Sequence, residues 1–365
     1  MKQRYYFYSV LGAIGLVCSG FQWMMFRHGV EALQGIGGLV LFLLLPLTFV
    51  MPNTMEKYMP VPVSRALARI GGYWFVWAFY GTMLLLPFFL LWLGMNMLGY
   101  EAWWEAVAPV YAKGVLILLA VLLPIGWYRA AHPVTREISI YTTKVKGQGL
   151  SIAFASDIHL GMVLGKDFAR KLVRDMNMLN PDVVILGGDI IDGNLNFVLK
   201  DGSFQGLAGM EPKYGAFAVL GNHDLYGLDV EREKSELAEQ GVRCLLGETV
   251  MVENMQVSGM RDAMFYPNDK LPEPDEERFS VLVDHEPMRI EEAESLGYDL
   301  YLAGHTHAGQ FWPIRHFTRK IFQLDYGTRR FGDMTAVVSS GYGAWGTLFR
   351  LQFLPEIVLI RLKRP

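Results

Sequence analysis

The chain has 365 residues, 52% of them hydrophobic and 19% charged, with a formal net charge of −3 and a mean hydropathy of +0.23. That is too apolar and too poor in charge for an ordinary soluble protein of this length, so part of it is expected in lipid. The near-neutral balance offers no basic surface to a nucleic acid, and Cys18 and Cys244, far apart in sequence, imply neither a disulfide framework nor a thiolate metal site.

The apolar material comes first. No charge falls between Arg4 and Arg27, between Glu31 and Glu56, or between Arg69 and Glu101, and a fourth run ending at Tyr128 contains only Lys113. A hydrocarbon core takes about 20 apolar residues to span, which the first three runs supply. Lys113 lies near the start of its run, where a long side chain reaches the interface. The sequence predicts a transmembrane domain over residues 1–130 with four helices, at about 5–26, 33–52, 70–95 and 108–128. No small-x-small cleavage pattern follows the first run, so it reads as a retained helix.

Basic residues in the connecting segments are unevenly shared. Lys2, Arg4, Lys57, Arg65, Arg69, Arg129, Arg136, Lys144 and Lys146 fall on one side, against Arg27 and Lys113 on the other. Lys and Arg collect on the cytoplasmic side, so both termini and everything after the fourth span are expected there.

A linker is expected over 131–148, and from 149 to 365 the texture becomes that of an α/β domain. "LSIAFASDIHLG", "PDVVILGGDIIDG", "YGAFAVLGNHDLYG", "RFSVLVDHEPMRI" and "YDLYLAGHTHAGQ" each read as a buried apolar strand running into a polar turn. "GKDFARKLVRDMNMLN" has helical periodicity, with Phe168, Leu172 and Met176 on one stripe, and "DVEREKSELAEQG" reads as a helix stopped by Gly241.

The five strand ends carry metal-capable side chains: Asp157 and His159; Asp189; Asn222, His223 and Asp224; His285; His305 and His307. Any one of them is explained as a turn former or cap. Five together are not, because ligands of open α/β sheets collect at the carboxyl ends of strands. Nitrogen and carboxylate donors in one place suit Mn²⁺, Fe or Zn²⁺ better than Ca²⁺.

"SDIHLG", "GGDIID", "GNHD", "VDHEP" and "GHTHAGQ", in that order, resemble the calcineurin-like metallophosphoesterase superfamily, and the ending "SSGYGAWGTLFRLQFLPEIVLIRL" resembles its bacterial membrane-associated branch. The resemblance implies a four-layer sandwich, two mixed β-sheets flanked by helices, and two divalent metal ions, Mn²⁺ foremost with Fe or Zn²⁺ as alternatives. Carried onto this sequence, Asp157, His159 and His307 would hold the first ion. Asp189 would bridge to the second, held further by Asn222, His285 and His305. His223 would stabilise the transferring phosphoryl group or protonate the leaving oxygen, with Asp224 orienting it. Asp192 and Asn194 read as turn residues. Glycines 304 and 309 would permit the turn that aims His305 and His307 at different ions.

Such a centre hydrolyses phosphodiester or pyrophosphate bonds, because paired cations polarise phosphoryl oxygens and activate water. Four spans and a basic aromatic stretch, Phe311–Phe331, point to a lipid-linked phosphoester at the cytoplasmic leaflet of a bacterial inner membrane. Arg319 and Lys320 would be its substrate or membrane contacts. A soluble or cyclic nucleotide diester is the alternative substrate, and a non-catalytic scaffold or a transporter the alternative roles. Beyond the bilayer and the phosphoester, no protein partner follows from the sequence.

Overall fold

The computed structural model describes residues 2–147, 149–227 and 229–365. The side chains of Lys2, Arg4 and Glu101, and residue Gln148, lie outside the described set. The chain divides into two compact units, 1–128 and 129–365.

The first unit is built from α1 (Lys2–Phe26), α2 (Ile36–Met55), α3 (Val61–Met97) and α4 (Glu101–Ala131), four helices long and apolar enough to cross a membrane. Two of them run well past their expected spans. The apolar run defines what fits in lipid, not where the helix ends. Pro62 in the first turn of α3 starts that helix at Val61, so Arg65 and Arg69 are helical. Close approach between helices uses small residues. Gly71 lies against the α2 backbone at Thr48 and Phe49, and Gly81 against the Gln22 amide, which donates to the Ala78 carbonyl at 2.8 Å and to Thr82 Oγ1 at 3.0 Å.

The second unit has two six-stranded sheets, and the expected linker is itself a strand of the first, β1 (Val134–Tyr141). The order in that sheet is β1, β12 (Glu356–Lys363), β2 (Leu150–Ala155), β3 (Val183–Gly187), β4 (Ala216–Val219), β5 (Val242–Cys244). In the second sheet the order is β10 (Gly327–Phe331), β11 (Met334–Val338), β9 (Leu300–Ala303), β8 (Phe279–Val283), β7 (Met255–Gly259), β6 (Glu248–Val252). Both sheets are mixed: β12 runs antiparallel to β2, whereas β2, β3, β4 and β5 are parallel neighbours. In the other sheet β7, β8, β9 and β11 are parallel.

Alternation of side chains along the strands builds the layers. Ile152, Phe154, Val183, Ile185, Phe217 and Val219 face one way and meet Val257, Phe279, Val281, Val283, Leu300 and Leu302 of the other sheet. Their neighbours Ala153, Ala155, Val184 and Leu186 face outward onto Leu172 and Met176 of α5 (Lys166–Met178). On the far side, Leu282, Tyr301 and Ala336 are covered by Ile290 and Ala293 of α9 (Ile290–Leu296). The result is helix, sheet, sheet, helix, the expected four layers. Each fully buried large apolar side chain contributes about 1.5–3 kcal/mol. Between these lie α6 (Leu195–Asp201), α7 (Asn222–Tyr226) and α8 (Val230–Glu239), with α10 (Arg315–Ile321) following the last functional turn.

The linker expectation over 131–148 is thus corrected. β1 pairs in parallel with β12 from Val134 opposite Glu356 to Tyr141 opposite Lys363. Its Ile138 and Ile140 pack on the core between the sheets, and Arg136 holds Glu356 through two bonds of 2.8 and 2.9 Å.

Candidate metal centre

Parallel neighbours present their carboxyl ends together. Asp157 and His159 follow β2, Asp189 follows β3, Asn222 to Asp224 open α7 after β4, His285 follows β8, and His305 and His307 follow β9. Their donor atoms gather in two groups. Asp157, His159 and His307 offer atoms within 4.8 Å of one another, as do Asp189, His285 and His305. Asn222 joins the second group, its Oδ1 lying 3.0 Å from His305 Nδ1. Asp189 Oδ2 is 3.3 Å from His285 Nε2 and 3.8 Å from His159 Nε2, so one carboxylate reaches both groups.

The backbone is strained where it delivers these side chains. Asp157, His159, Asp189, His305 and His307 all have φ between 50° and 68°, the left-handed region that non-glycine residues avoid. Each costs on the order of 1–3 kcal/mol, a strain that clusters at functional sites. The strain is held by bonds that fix the acids themselves. His305 N–H donates to both oxygens of Asp157, at 3.0 and 3.1 Å, and Ser156 Oγ donates to the same carboxylate at 2.5 Å. The neighbouring glycines serve packing as much as turning. A Cβ on Gly304 would collide with the Asp157 carboxylate, and one on Gly221 with Asp189 and His285. Gly309, at φ +79°, does take the conformation that glycine favours.

Electrostatics separate the histidines. Burial, then the neighbouring His285, pushes His305 down to about 3. Burial, His159 and Arg350 hold His307 well below its ordinary value. Both rings are therefore neutral, as metal ligands require. Burial alone would lower His223, but the Asp189 and Asp192 carboxylates outweigh it and raise it to about 9. A cationic His223 beside the two groups suits a phosphoryl anion.

The orienting partner of His223 is Asp192, not Asp224. Asp192 Oδ1 accepts from His223 Nδ1 at 3.0 Å. The Asp224 carboxylate is instead consumed by backbone, accepting from Ile191 N–H and Gly221 N–H at 2.8 Å each. Position explains the change: Asp224 lies in the first turn of α7, where a carboxylate caps free N–H groups. Asp192 lies 31 residues earlier in sequence, so only the fold brings it to His223. Glu286, one residue past His285, also belongs to the site, 3.5 Å from His305 Nε2. Arg319 and Lys320 are exposed on α10. The start of that helix lies against the turn that carries His307, with the Arg315 backbone beside Gly309, and the following Phe322 has its ring centre 5.8 Å from that of His305.

The residues fit two divalent ions. His285 Nε2 is buried without a hydrogen-bond partner, and the donors are imidazoles, carboxylates and one amide oxygen, a set suited to borderline divalent metals.

A family model described as calcineurin-like phosphoesterase matches residues 150–309. A metallophosphoesterase of Aquifex aeolicus is 31% identical over 263 residues, covering 68% of this chain and 98% of its own. A Danio rerio protein described as a transmembrane protein with metallophosphoesterase domain is 30% identical over 275 residues, covering 68% of this chain and 62% of that one. A solved protein of Thermus thermophilus overlaps 53% of this chain and 90% of its own, at 12% identity and a TM-score of 0.36. With its ordered ligand turns and a relative matched over nearly its whole length, the chain belongs to the calcineurin-like metallophosphoesterase family.

Proposed function

We propose that the protein is a membrane-anchored dinuclear phosphoesterase that hydrolyses a phosphodiester or pyrophosphate bond of a lipid-linked substrate at the cytoplasmic face of a bacterial inner membrane. The observation that carries the hydrolytic reading is the convergence of two ligand groups on Asp189, with His223 beside them. Asp157, His159 and His307 would hold one ion, and Asn222, His285 and His305 the other, with Asp189 between. Bound there, the ions supply charge to polarise the phosphoryl oxygens and acidify water. The remaining work falls to the chain. Asp192 keeps the Nδ1 hydrogen of His223, so Nε2 is the nitrogen left to meet the phosphoryl group or give a proton to the leaving oxygen. Asp189 Oδ1 accepts from His223 N–H at 2.8 Å, which ties the acid's backbone to the bridging carboxylate.

Exposed apolar side chains beside the site support the lipid reading. On α10 and its approach, Trp312, Phe317 and Ile321 are 42%, 62% and 67% exposed, with Arg319 and Lys320 among them. On the His223 side, Tyr226 packs on that ring at 5.2 Å, and Phe265 packs on Tyr226 at 6.0 Å. A soluble phosphoester has no use for such a rim, whereas basic and apolar side chains together suit a lipid head group and its chain. Only His132 and Pro133 separate the end of α4 from the start of β1. The test uses full-length protein in mixed micelles with Mn²⁺. A lipid-linked pyrophosphate should be cleaved far faster than its soluble, chain-free analogue, and Arg319→Glu with Lys320→Glu should lower only the former. Equal rates on both, with no effect of the reversals, would leave a soluble nucleotide diester as the better substrate.

A further inference from the structure

Two side chains of the candidate centre, Asn222 and His223, open the short helix α7, and Tyr226 closes it. Residues three and four apart are neighbours on one face of a helix. Tyr226 is three from His223 and four from Asn222, and it touches both. Its hydroxyl oxygen accepts from Asn222 Nδ2 at 3.1 Å. Its ring packs edge-on against that of His223, with the centres 5.2 Å apart and the planes at 63°.

Each contact removes a freedom that the neighbouring side chain has by itself. The terminal torsion of an asparagine is soft, and a half turn exchanges its oxygen for its nitrogen. Only the oxygen can ligate a cation. With Nδ2 engaged by the Tyr226 hydroxyl, Oδ1 is turned to the second ligand group, 3.0 Å from His305 Nδ1. The His223 ring is tied by one hydrogen bond, from Nδ1 to Asp192, about which a ring can swing. The rings of Tyr226, Trp345 and His159 bound that swing, with centres 5.2, 6.4 and 4.8 Å from that of His223. Tyr226 is braced in turn. Phe265 packs on its ring at 6.0 Å. Its Cβ lies over Gly193, the residue after Asp192, where an added Cβ would stand 3.6 Å away.

We propose that Tyr226 is a positioning residue for both halves of the chemistry: its hydroxyl sets the ligand amide of Asn222, and its ring sets the acid His223. This rests on the dinuclear reading above and couples its second metal position to its acid through one side chain.

The experiment uses full-length protein in detergent and reads two quantities. One is Mn²⁺ affinity, from the free-ion electron paramagnetic resonance signal; the other is kcat on bis(p-nitrophenyl) phosphate at saturating Mn²⁺. Tyr226→Phe keeps the ring and loses the hydroxyl, so it should weaken Mn²⁺ binding by roughly 10–100-fold, the range typical of a partner behind a ligand. Tyr226→Leu loses both, and should add a fall in kcat of about 10–100-fold, the scale of a misplaced catalytic group. Each loss should vanish where its neighbour no longer needs placing. Asn222→Asp has no wrong end to present, so adding Tyr226→Phe to it should cost less than about threefold in affinity. In a His223→Ala background, Tyr226→Leu should cost less than about threefold in kcat. A tyrosine that merely supported the fold would cost the same in every background. Tyr226 is 45% exposed, so neither variant opens the core; should Tyr226→Leu not fold, Tyr226→Phe with Asn222→Asp decides. Equal affinity losses in the native and Asn222→Asp chains would overturn the role of the hydroxyl, and equal kcat losses in the native and His223→Ala chains that of the ring. Absence of any Mn²⁺ binding to the native chain would overturn the dinuclear reading itself, and the role of the hydroxyl with it.

Discussion

Asp189 is the residue whose loss should separate metal binding from acid catalysis. Asp189→Asn keeps the shape but removes the charge that both ligand groups approach. Its loss of Mn²⁺ affinity should exceed the roughly 10–100-fold typical of a partner outside the ligand set, with hydrolysis of bis(p-nitrophenyl) phosphate falling in step. His223→Ala should retain both ions and lose about 10²–10⁴ in kcat. Wild-type turnover in Asp189→Asn would rule out the bridging role. A second comparison separates two acids that look alike in sequence. Asp192→Ala removes the acceptor of His223 Nδ1 and should lose most of what His223→Ala loses, at little change in melting temperature. Asp224→Ala leaves two buried N–H groups without their acceptor, at about 1–3 kcal/mol each, and should show first as a lower melting temperature. The reverse pattern would return the orienting role to Asp224. The asymmetry explains what could be read directly. A ligand turn such as "GHTHAGQ" declares its chemistry locally, through residue types and glycines. Which carboxylate meets His223, and that Arg350 lies behind His307, depend on contacts 31 and 43 residues apart in sequence.

At the level of elements, β1 decides where the catalytic unit begins. A fragment starting at residue 149 would strip β1 from β12, uncovering the side of the core that Ile138 and Ile140 cover and leaving the β12 edge unpaired. Two half-buried isoleucines and an eight-residue ladder amount to a few kcal/mol at about 1.5–3 kcal/mol per large apolar side chain, and an open edge invites aggregation. Residues 129–365 should therefore purify as a folded, monodisperse fragment, whereas 149–365 should melt at a clearly lower temperature or precipitate. Equal melting temperatures would mean that β1 is an ornament of the sheet. The strand was hidden for a physical reason. "VTREISIY" alternates polar and apolar residues as an edge strand does, but its charges resemble a solvated connection. Its partner begins at Glu356, more than two hundred residues later, where no local signal reaches. The central strands needed no partner to be seen, because β2, β3, β8 and β9 are buried on both faces and read as unbroken apolar runs.

For the whole molecule the open quantity is the side of the membrane on which the catalytic unit works, and the charge pattern predicts it. Arg136, Lys144 and Lys146 belong to the folded unit that begins at Arg129, so they are poor witnesses to helix orientation. Folded domains and strands cross or stay largely regardless of their charge; short connections are what count. Without those three, Lys2, Arg4, Lys57, Arg65, Arg69 and Arg129 remain on one side, against Arg27 and Lys113 on the other. The helical lengths sharpen this. α3 starts at Val61, so Arg65 and Arg69 sit in its first turns, at the end of the helix next to the connection from α2. Lys113 lies twelve residues into α4, a depth from which it reaches the opposite interface only by snorkelling, so its weight in the bias is small. Both termini are then expected in the cytoplasm, and a reporter fused after Pro365 should be active only in a form that needs the cytoplasm, while one inserted between α1 and α2 at residues 31–33 should be active only when exported. Replacing Lys57, Arg65 and Arg69 together by Gln should weaken the preference and yield a mixed population. An exported reporter active after Pro365 in the native chain would reverse the orientation, and with it the assignment of a cytoplasmic-leaflet substrate.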